Sequence, residues 1–569
     1  MKFQPPTADI LFAIRTAAGN DAFGGLDRDT IAAILAEAGR FAADELAPLN
    51  RVGDRTGARF DKGAVTMPPG WKDAYRRWAA AGWNSLGAPT QWGGQGLPVL
   101  VQMAVQDIWN GANAAFAGGP MLTMGAIAAL DAHGEGELKA RFLPKLVSGE
   151  WMATMNLTEP QAGSDLGALT TRAAPAGDGT YRLFGQKIFI TYGEHDLTEN
   201  IIHLVLARLD GAPAGSAGIS LFLVPKVLAD RSRNDVVAAG IEAKLGLHAS
   251  PTCTMVYGAG GRGATGWMIG APNRGLAAMF TMMNIARLTV GMQGVGVAER
   301  ASQEALAYAQ ERRQGRAPGA IDRASRIVEH PDVQRNLLRM RALTAASRAI
   351  CYACAAAIDR GETARAGVLT PIAKAFATDA AVETASLGIQ VYGGAGYIEE
   401  SGAAQHLRDA RVFPIYEGTN GIQAIDLVTR KLRADGGAAA AALAAEIGET
   451  AAKVAAVNRA DFGATAARLK AAAADVGRAT RYLTAAAGEG RQAEALAGAT
   501  PYLRLFALAY GGALLARGAL AANGDETEKW VALARFFAET CVGETTGLAA
   551  VVTEGAVGLR RAAATNLPD

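Results

Sequence analysis

The chain has 569 residues, half of them hydrophobic, which is too long for one compact core and apolar enough for about three or four domains. Its 56 Lys and Arg against 54 Asp and Glu leave a charge of +2, so no bulk field draws it to nucleic acid or to an anionic membrane surface. Four cysteines in this length make no disulfide framework and point to a reducing compartment, the cytoplasm.

The start, Met1 to Pro6, carries no apolar signal core. Residues 29–150 read as mostly helical. Ile31, Ile34, Leu35, Phe41 and Leu46 recur at helical spacing, and Asp29-Thr30 is the expected cap. Gly93 to Gly96 is a loop. Ile108–Leu130 has no charge and nearly the length of a membrane span. Its Asn110, Asn113, Thr123 and Gly118-Gly119-Pro120 favour two helices around a turn and no stable membrane insertion.

From about residue 152 the texture becomes β. Tyr181–Phe184, Lys187–Thr191, Ile201–Leu206, Ile219–Val224 and Cys253–Tyr257 are short β-prone runs punctuated by Gly, Pro and Asp. From about 275 to 433 the helical period returns. Gly436-Gly437 then opens an Ala-rich tail. Leu443, Ile447 and Val454, the run Leu503–Leu515, and Trp530, Phe536 and Phe537 predict packed helices rather than disorder. The expected division is 1–151 helical, 152–270 β, 271–435 a helical bundle and 436–569 a helical extension. The fold class is mainly α with a central β domain.

Gly258-Ala-Gly260-Gly-Arg-Gly263 matches G-x-G-x-x-G, but a turn and another strand follow instead of a helix, so it reads as a tight loop and not a dinucleotide site. Cys351-Tyr-Ala-Cys354 lies in an Ala-rich helix and reads as two small buried side chains. The six histidines, His133, His195, His203, His248, His330 and His406, show no metal-ligand spacing, and no metal is expected. There is no nucleophile elbow and no Walker loop.

The remaining motifs inform each other. Met155–Leu166 contains Leu157-Thr158-Glu159-Pro160 and Gly163-Ser164-Asp165. It is either a polar loop or a surface of backbone N–H groups and hydroxyls for a planar, acceptor-rich ring and a diphosphate. Gly185–Thr191 is either a plain strand or one that puts Phe189 and Thr191 on one face against a ring. Asn284, Arg287 and Arg312 are either solvated groups on a helix or phosphate partners. Gln390 to Tyr397 brings glycines that let backbone approach a ligand. In Tyr416-Glu417-Gly418-Thr419-Asn420 the carboxylate precedes a helix whose stripe is expected at Ile422, Ile425, Val428 and Leu432. Alone, Glu417 could be a helix-start acid favoured by the dipole.

In this order the motifs resemble the acyl-CoA dehydrogenase family over about residues 30–433: Leu-Thr-Glu-Pro-x-Ala-Gly-Ser-Asp, Gly-x-Lys-x-x-Ile-Thr, Gln-x-x-Gly-Gly-x-Gly-Tyr, Arg-Asp-Ala-Arg and Ile-Tyr-Glu-Gly-Thr-Asn. The resemblance implies a helical domain, a β domain and a four-helix domain that hold FAD. It implies that Leu157, Thr158, Gly163, Ser164, Phe189, Ile190, Thr191 and Thr419 line the flavin. Arg312, Gln390 and Gly394 would hold the diphosphate of a neighbouring subunit's FAD, hence a homodimer or homotetramer. Ser164, Asn284, Arg287 and Gly418 would meet the acyl-CoA, and Glu417 would be the catalytic base. Electrons would pass to an electron-transfer flavoprotein.

The chain departs from the family in places. Glu311-Arg312-Arg-Gln-Gly315 lacks the Phe of Glu-Arg-x-x-Phe-Gly and is one residue short, and Phe189 stands where Trp is common. The tail, the Pro5-Pro6 start and Leu46–Arg51 resemble the longer branch that includes 3-methylthiopropionyl-CoA dehydrogenases. The implied reaction is α,β-dehydrogenation of an acyl-CoA, that one or a fatty acyl-CoA, to trans-2-enoyl-CoA. An acyl-CoA oxidase-type enzyme and a flavin-bound nucleic-acid-binding relative are the alternatives.

Overall fold

A computed structural model describes residues 3–19, 25–320, 324–524 and 526–567. The chain forms two compact units, each assembled from separated stretches. One contains Arg40–Pro98 and Ala112–Ala286; the other contains Met1–Gly39, Val99–Gly111 and Arg287–Asp569.

The first unit holds the strands. A hairpin pairs β1 (Arg59–Asp61) with β2 (Ala64–Thr66). The sheet proper contains β3 (Met152–Asn156), β4 (Arg172–Pro175), β5 (Tyr181–Thr191), β6 (Ile201–Leu209), β7 (Ile219–Pro225), β8 (Val236–Ile241), β9 (Thr252–Tyr257) and β10 (Ala264–Ile269). β10 pairs with both β5 and β7, and the order β10-β7-β6-β4-β5 therefore closes on itself. β9 and β8 extend from β5, and β3 runs parallel to β6. Alternate residues such as Leu183, Val205, Ala207, Phe222, Val224, Cys253, Met255 and Tyr257 fill the interior.

The two β-prone runs at 181–184 and 187–191 are one strand. β5 leaves β4 to pair with β9, and a register shift falls between Lys187 and Ile190. β4, Arg-Ala-Ala-Pro, carries too little apolar signal to stand out in the sequence, and β8, Val-Val-Ala-Ala-Gly-Ile, lies outside the expected runs. The glycine loop 258–263 joins β9 to β10 as expected. The Asp235 carboxylate accepts from the N–H groups of Gly260 at 2.7 Å and of Arg262 and Gly263 at 3.1 Å, which occupies the donors a phosphate would need.

Val99–His133 is two helices meeting at a kink, as expected, but the break falls at Asn113 (φ −162°, ψ 90°) and not at Gly118-Gly119-Pro120. Asn113 Oδ1 accepts from Phe116 N–H at 3.0 Å and so caps the restarted turn. Gly119 is small for packing instead, since a Cβ there would lie 2.7 Å from Met152. The helix Arg28–Phe41 is capped by Asp27, whose Oδ1 accepts from Thr30 N–H at 2.6 Å. Asp29 and Thr30 lie inside the first turn.

In the second unit the helices Pro331–Asp359 and Thr363–Tyr392 pack side by side, and Asn420–Asp426 packs on the latter. The extension supplies Ala438–Ala456, Thr465–Gly488, Ala499–Ala521, Glu526–Thr540 and Thr545–Asn566. Leu443, Ile447 and Val454 are buried, as their spacing predicts, and Phe12 stacks on Trp530 at 3.8 Å. Arg348, fully enclosed, is paired with Asp107 (2.6 Å) and Glu299 (3.0 Å), which satisfies its charge. Cys351 and Cys354 are buried on the Pro331–Asp359 helix.

Of the stripe expected after Asn420, Val428 and Leu432 are buried, Ile422 is half-buried and Ile425 is not buried. A π turn, Leu427–Lys431, shifts the register, and Ala424, Leu427, Val428 and Leu432 face inward while Ile425 is exposed. Among the described residues three helices, Val99–His133, Gly275–Glu311 and Ala499–Ala521, are long and apolar enough to cross a membrane. Of their most apolar windows 89%, 61% and 83% is buried within the protein.

Candidate active site

The segment Pro414–Asn420 folds back on itself. Asn420 N–H donates to Pro414 O at 2.9 Å, and Thr419 caps the following helix by accepting from Ile422 N–H at 3.1 Å. The turn requires two left-handed residues in succession, Glu417 (φ 56°) and Gly418 (φ 84°). Glycine adopts this conformation freely; a glutamate there is held at a cost of about 1–2 kcal/mol. Gln423 Nε2 bridges the carbonyls of Glu417 (3.3 Å) and Gly418 (3.2 Å), and the Tyr416 hydroxyl donates to Gln293 Oε1.

Burial pushes the Glu417 carboxyl up to about 7, against the lowering pull of Lys374 and Arg287. It is half-buried by surface exposure, so the desolvation comes from crowding protein atoms around a group that still has an opening. The helix dipole expected to hold its pKa down loses to this burial. Arg287 is buried and 3.4 Å from Asp426, and its Nε has no hydrogen-bond partner among the described residues. A buried, unanswered guanidinium N–H is a donor waiting for an acceptor.

Two residues that the sequence reading left unassigned complete this site. Lys374, fully buried on the helix Thr363–Tyr392, donates to Gly418 O and to Asn420 Oδ1, both at 2.9 Å. Asp426 receives Arg287 on one oxygen and Arg430 on the other. The available signal for Lys374 was a lone charge inside the apolar run Pro371-Ile-Ala-Lys374-Ala-Phe376.

In the strand-bearing unit, a second group of expected residues comes together. Glu159 is buried and accepts from Lys187 Nζ (2.8 Å), from the N–H and hydroxyl of Thr171 (3.0 and 2.6 Å), and from those of Thr170 (2.7 and 2.8 Å). These bonds oppose desolvation and hold its carboxyl down at about 2. Lys187 also donates to Leu157 O (3.0 Å), and Ile188 N–H donates to Thr158 O (2.9 Å). The Leu157-Thr158 backbone is thereby fixed against β5. Gly163 and Ser164 lie on its exposed continuation.

Phe189 does not share a regular strand face with Thr191. It sits in the β5 bulge with φ 59° and is 58% exposed, because the inserted residue breaks the two-residue alternation. Ile190 turns inward, and Thr191 is half-buried with its carbonyl accepting from Thr154 Oγ1. Asn284 is exposed.

Arg312 follows the end of the Gly275–Glu311 helix and is exposed. The shortened Glu311–Gly315 segment pairs with Ser325 and Arg326. Gln390 and Gly394 are exposed at the end of Thr363–Tyr392, where Gly393 (φ 61°) stops the helix; nothing stands within 4 Å of a Cβ placed on either glycine. Among the described residues no cluster of three or more His, Cys, Asp or Glu could hold a metal.

Four family models match in sequence order: "Acyl-CoA dehydrogenase, N-terminal domain" at 28–150, the "middle domain" at 154–258, the "C-terminal domain" at 273–432, and "Acetyl-CoA dehydrogenase C-terminal like" at 443–561. The chain is 44% identical to a 3-methylmercaptopropionyl-CoA dehydrogenase of Ruegeria pomeroyi, over 96% of this chain and 97% of that one. A crystal structure of Caenorhabditis elegans ACDH-11 in complex with C11-CoA shares the fold at TM-score 0.80 and 22% identity, covering 95% and 92% of the chains. A structure described as the electron transferring flavoprotein of Acidaminococcus fermentans matches at TM-score 0.61 and 26% identity, over 72% of this chain and 99% of that one.

Proposed function

Because this chain belongs to the acyl-CoA dehydrogenase family, we propose that Glu417 is the base that takes the α proton of its acyl-CoA thioester. The carrying observation is a half-buried carboxyl, pushed up to about 7, on a turn that holds a glutamate in left-handed backbone. A thioester α C–H is a very weak acid. A carboxylate of ordinary pKa is too weak a partner, and one raised into the neutral range is better matched while still ionised at working pH. The base is the ionised form, so activity rises with pH through about 7. Arg287, with its unanswered Nε, is placed to meet a polar group of the acyl-CoA.

The residues present fit FAD. Thr158, Ser164 and Thr191 offer hydroxyls, the Leu157-Thr158 backbone is clamped by Glu159 and Lys187, and Phe189 holds an exposed ring out of the sheet. Thr419 spends its hydroxyl as a helix cap and its carbonyl on Gln423 N–H (2.9 Å), which leaves its N–H as a donor for the flavin. Arg312, Gln390 and Gly394 lie on exposed surface suited to a diphosphate. FAD, when bound, supplies the acceptor for the hydride that leaves the β carbon, and the product is a trans-2-enoyl-CoA.

The substrate we favour is 3-methylthiopropionyl-CoA, supported by the match to a relative of that specificity through the C-terminal extension. A fatty acyl-CoA is the second choice. An electron-transfer flavoprotein is the proposed electron acceptor. The assembly is a homodimer or homotetramer, in keeping with Tyr397 (86% exposed) and Ile398 lying bare just after the Gly393-Gly394 turn and Ile415 bare on the Pro414–Asn420 segment. Four free, buried cysteines suit the cytoplasm.

The test is anaerobic bleaching of the FAD-loaded protein by methylthio, short, long and branched acyl-CoAs. The methylthio thioester should bleach fastest. Faster bleaching by a long-chain thioester would replace the favoured substrate, and rapid peroxide release under air would replace the acceptor with oxygen.

A further inference from the structure

We propose that Lys374 is a positioning residue for Glu417: it bolts the Glu417-Gly418 turn to the helix Thr363–Tyr392, and its charge sets the pH at which Glu417 becomes available as a base. The inference rests on Glu417 being that base.

The anchor is visible in the hydrogen bonds. Lys374 reaches the Gly418 carbonyl and the Asn420 side chain, and Asn420 Nδ2 in turn meets Ala375 O (3.1 Å), Thr378 Oγ1 (3.0 Å) and Asp379 Oδ1 (2.8 Å). The C-terminal side of the turn, Gly418 and Asn420, is therefore fixed to one helix. Hydrogen bonding alone does not call for a lysine. Gly418 O already accepts from Gln423, a neutral donor, and a fully enclosed ammonium costs several kcal/mol of lost hydration. What the charge adds is electrostatic.

Lys374 faces the carboxylates of Glu417 and Asp379 and the guanidinium of Arg287. Among the described residues Glu417 faces two cations, Lys374 and Arg287, and Arg287 shares its charge with Asp426, which also holds Arg430. Asp379 is exposed and is offset by Arg411 and Arg504. Lys374 is thus the stronger cationic influence on Glu417. Burial brings Lys374 down to about 7, into the range where Glu417 titrates, so the two groups exchange charge over the same pH interval.

The test compares wild type, Lys374→Gln and Lys374→Arg as FAD-loaded proteins. One readout is the infrared carbonyl band of protonated Glu417, identified by its loss in Glu417→Gln and followed against pH. The other is the pH profile of flavin bleaching by acyl-CoA. Gln keeps a donor and drops the charge, so the Glu417 midpoint should rise by about one pH unit, with bleaching at pH 6 roughly tenfold slower. Arg cannot lose its proton, so its midpoint should fall below the wild-type value. Should the Gln variant not fold, the Arg shift decides alone. Midpoints unchanged from wild type in the folded variants would overturn the inference. Wild-type flavin that no acyl-CoA bleaches would remove the base assignment instead, and the infrared midpoints would still report on Lys374.

Discussion

Glu417 carries two costs that a surface carboxylate at a helix start would avoid: left-handed backbone and desolvation. Natural sequences keep such costs where a site needs them. The backbone part can be separated from the charge. Glu417→Gly and Glu417→Ala both delete the carboxylate, but only glycine is at ease at φ 56°, so the Gly variant should be more stable by about 1 kcal/mol in denaturant unfolding. Equal stability would mean the turn relaxes and stores no strain. The motif Tyr416-Glu417-Gly418-Thr419-Asn420 was legible in the sequence because its glycine and its cap are local. Lys374 was not, since it meets the motif at Gly418 and Asn420, 44 and 46 residues downstream, and only the fold makes that encounter.

At the scale of elements, the loop from Leu157 to Ser164 is shaped by one buried ion pair. Lys187 and Glu159 are both almost fully enclosed, and removing one leaves the other uncompensated. Lys187→Met should therefore cost about 3–5 kcal/mol of stability and loosen FAD retention, whereas Glu159→Gln with Lys187→Met together should recover part of the loss. A Lys187→Met protein that melts and binds FAD like wild type would contradict the clamp. The sequence showed the strand but not its bulge, because a register shift leaves the residue types unchanged and alters only their partners. The same limit explains Asn113, which breaks its helix while the more conspicuous Gly118-Gly119-Pro120 does not.

At the scale of the whole molecule, buried histidines set a limit in acid. His195 and His203 are enclosed in the strand-bearing unit, and burial, reinforced by Lys226, holds both down at about 3 against an ordinary 6.5. The unfolded chain binds their protons first. Stability is therefore intact above pH 6.5 and falls as pH drops from 6.5 towards 3, by up to about 1.4 kcal/mol per pH unit for each histidine. Melting temperatures recorded from pH 8 to 4 should decline below 6.5, and a flat profile would contradict it. The extension's helices were readable from their period. The order of the motifs pointed to the family, although the two units interleave the chain in a way that linear texture does not reveal.

The central claim is that Glu417 takes the proton. Its most direct test is Glu417→Gln, loaded with FAD and mixed anaerobically with the acyl-CoA that best bleaches the wild type. The variant should remain yellow, folded and able to bind the thioester while bleaching falls by at least about a thousandfold. Bleaching at the wild-type rate would place the base elsewhere.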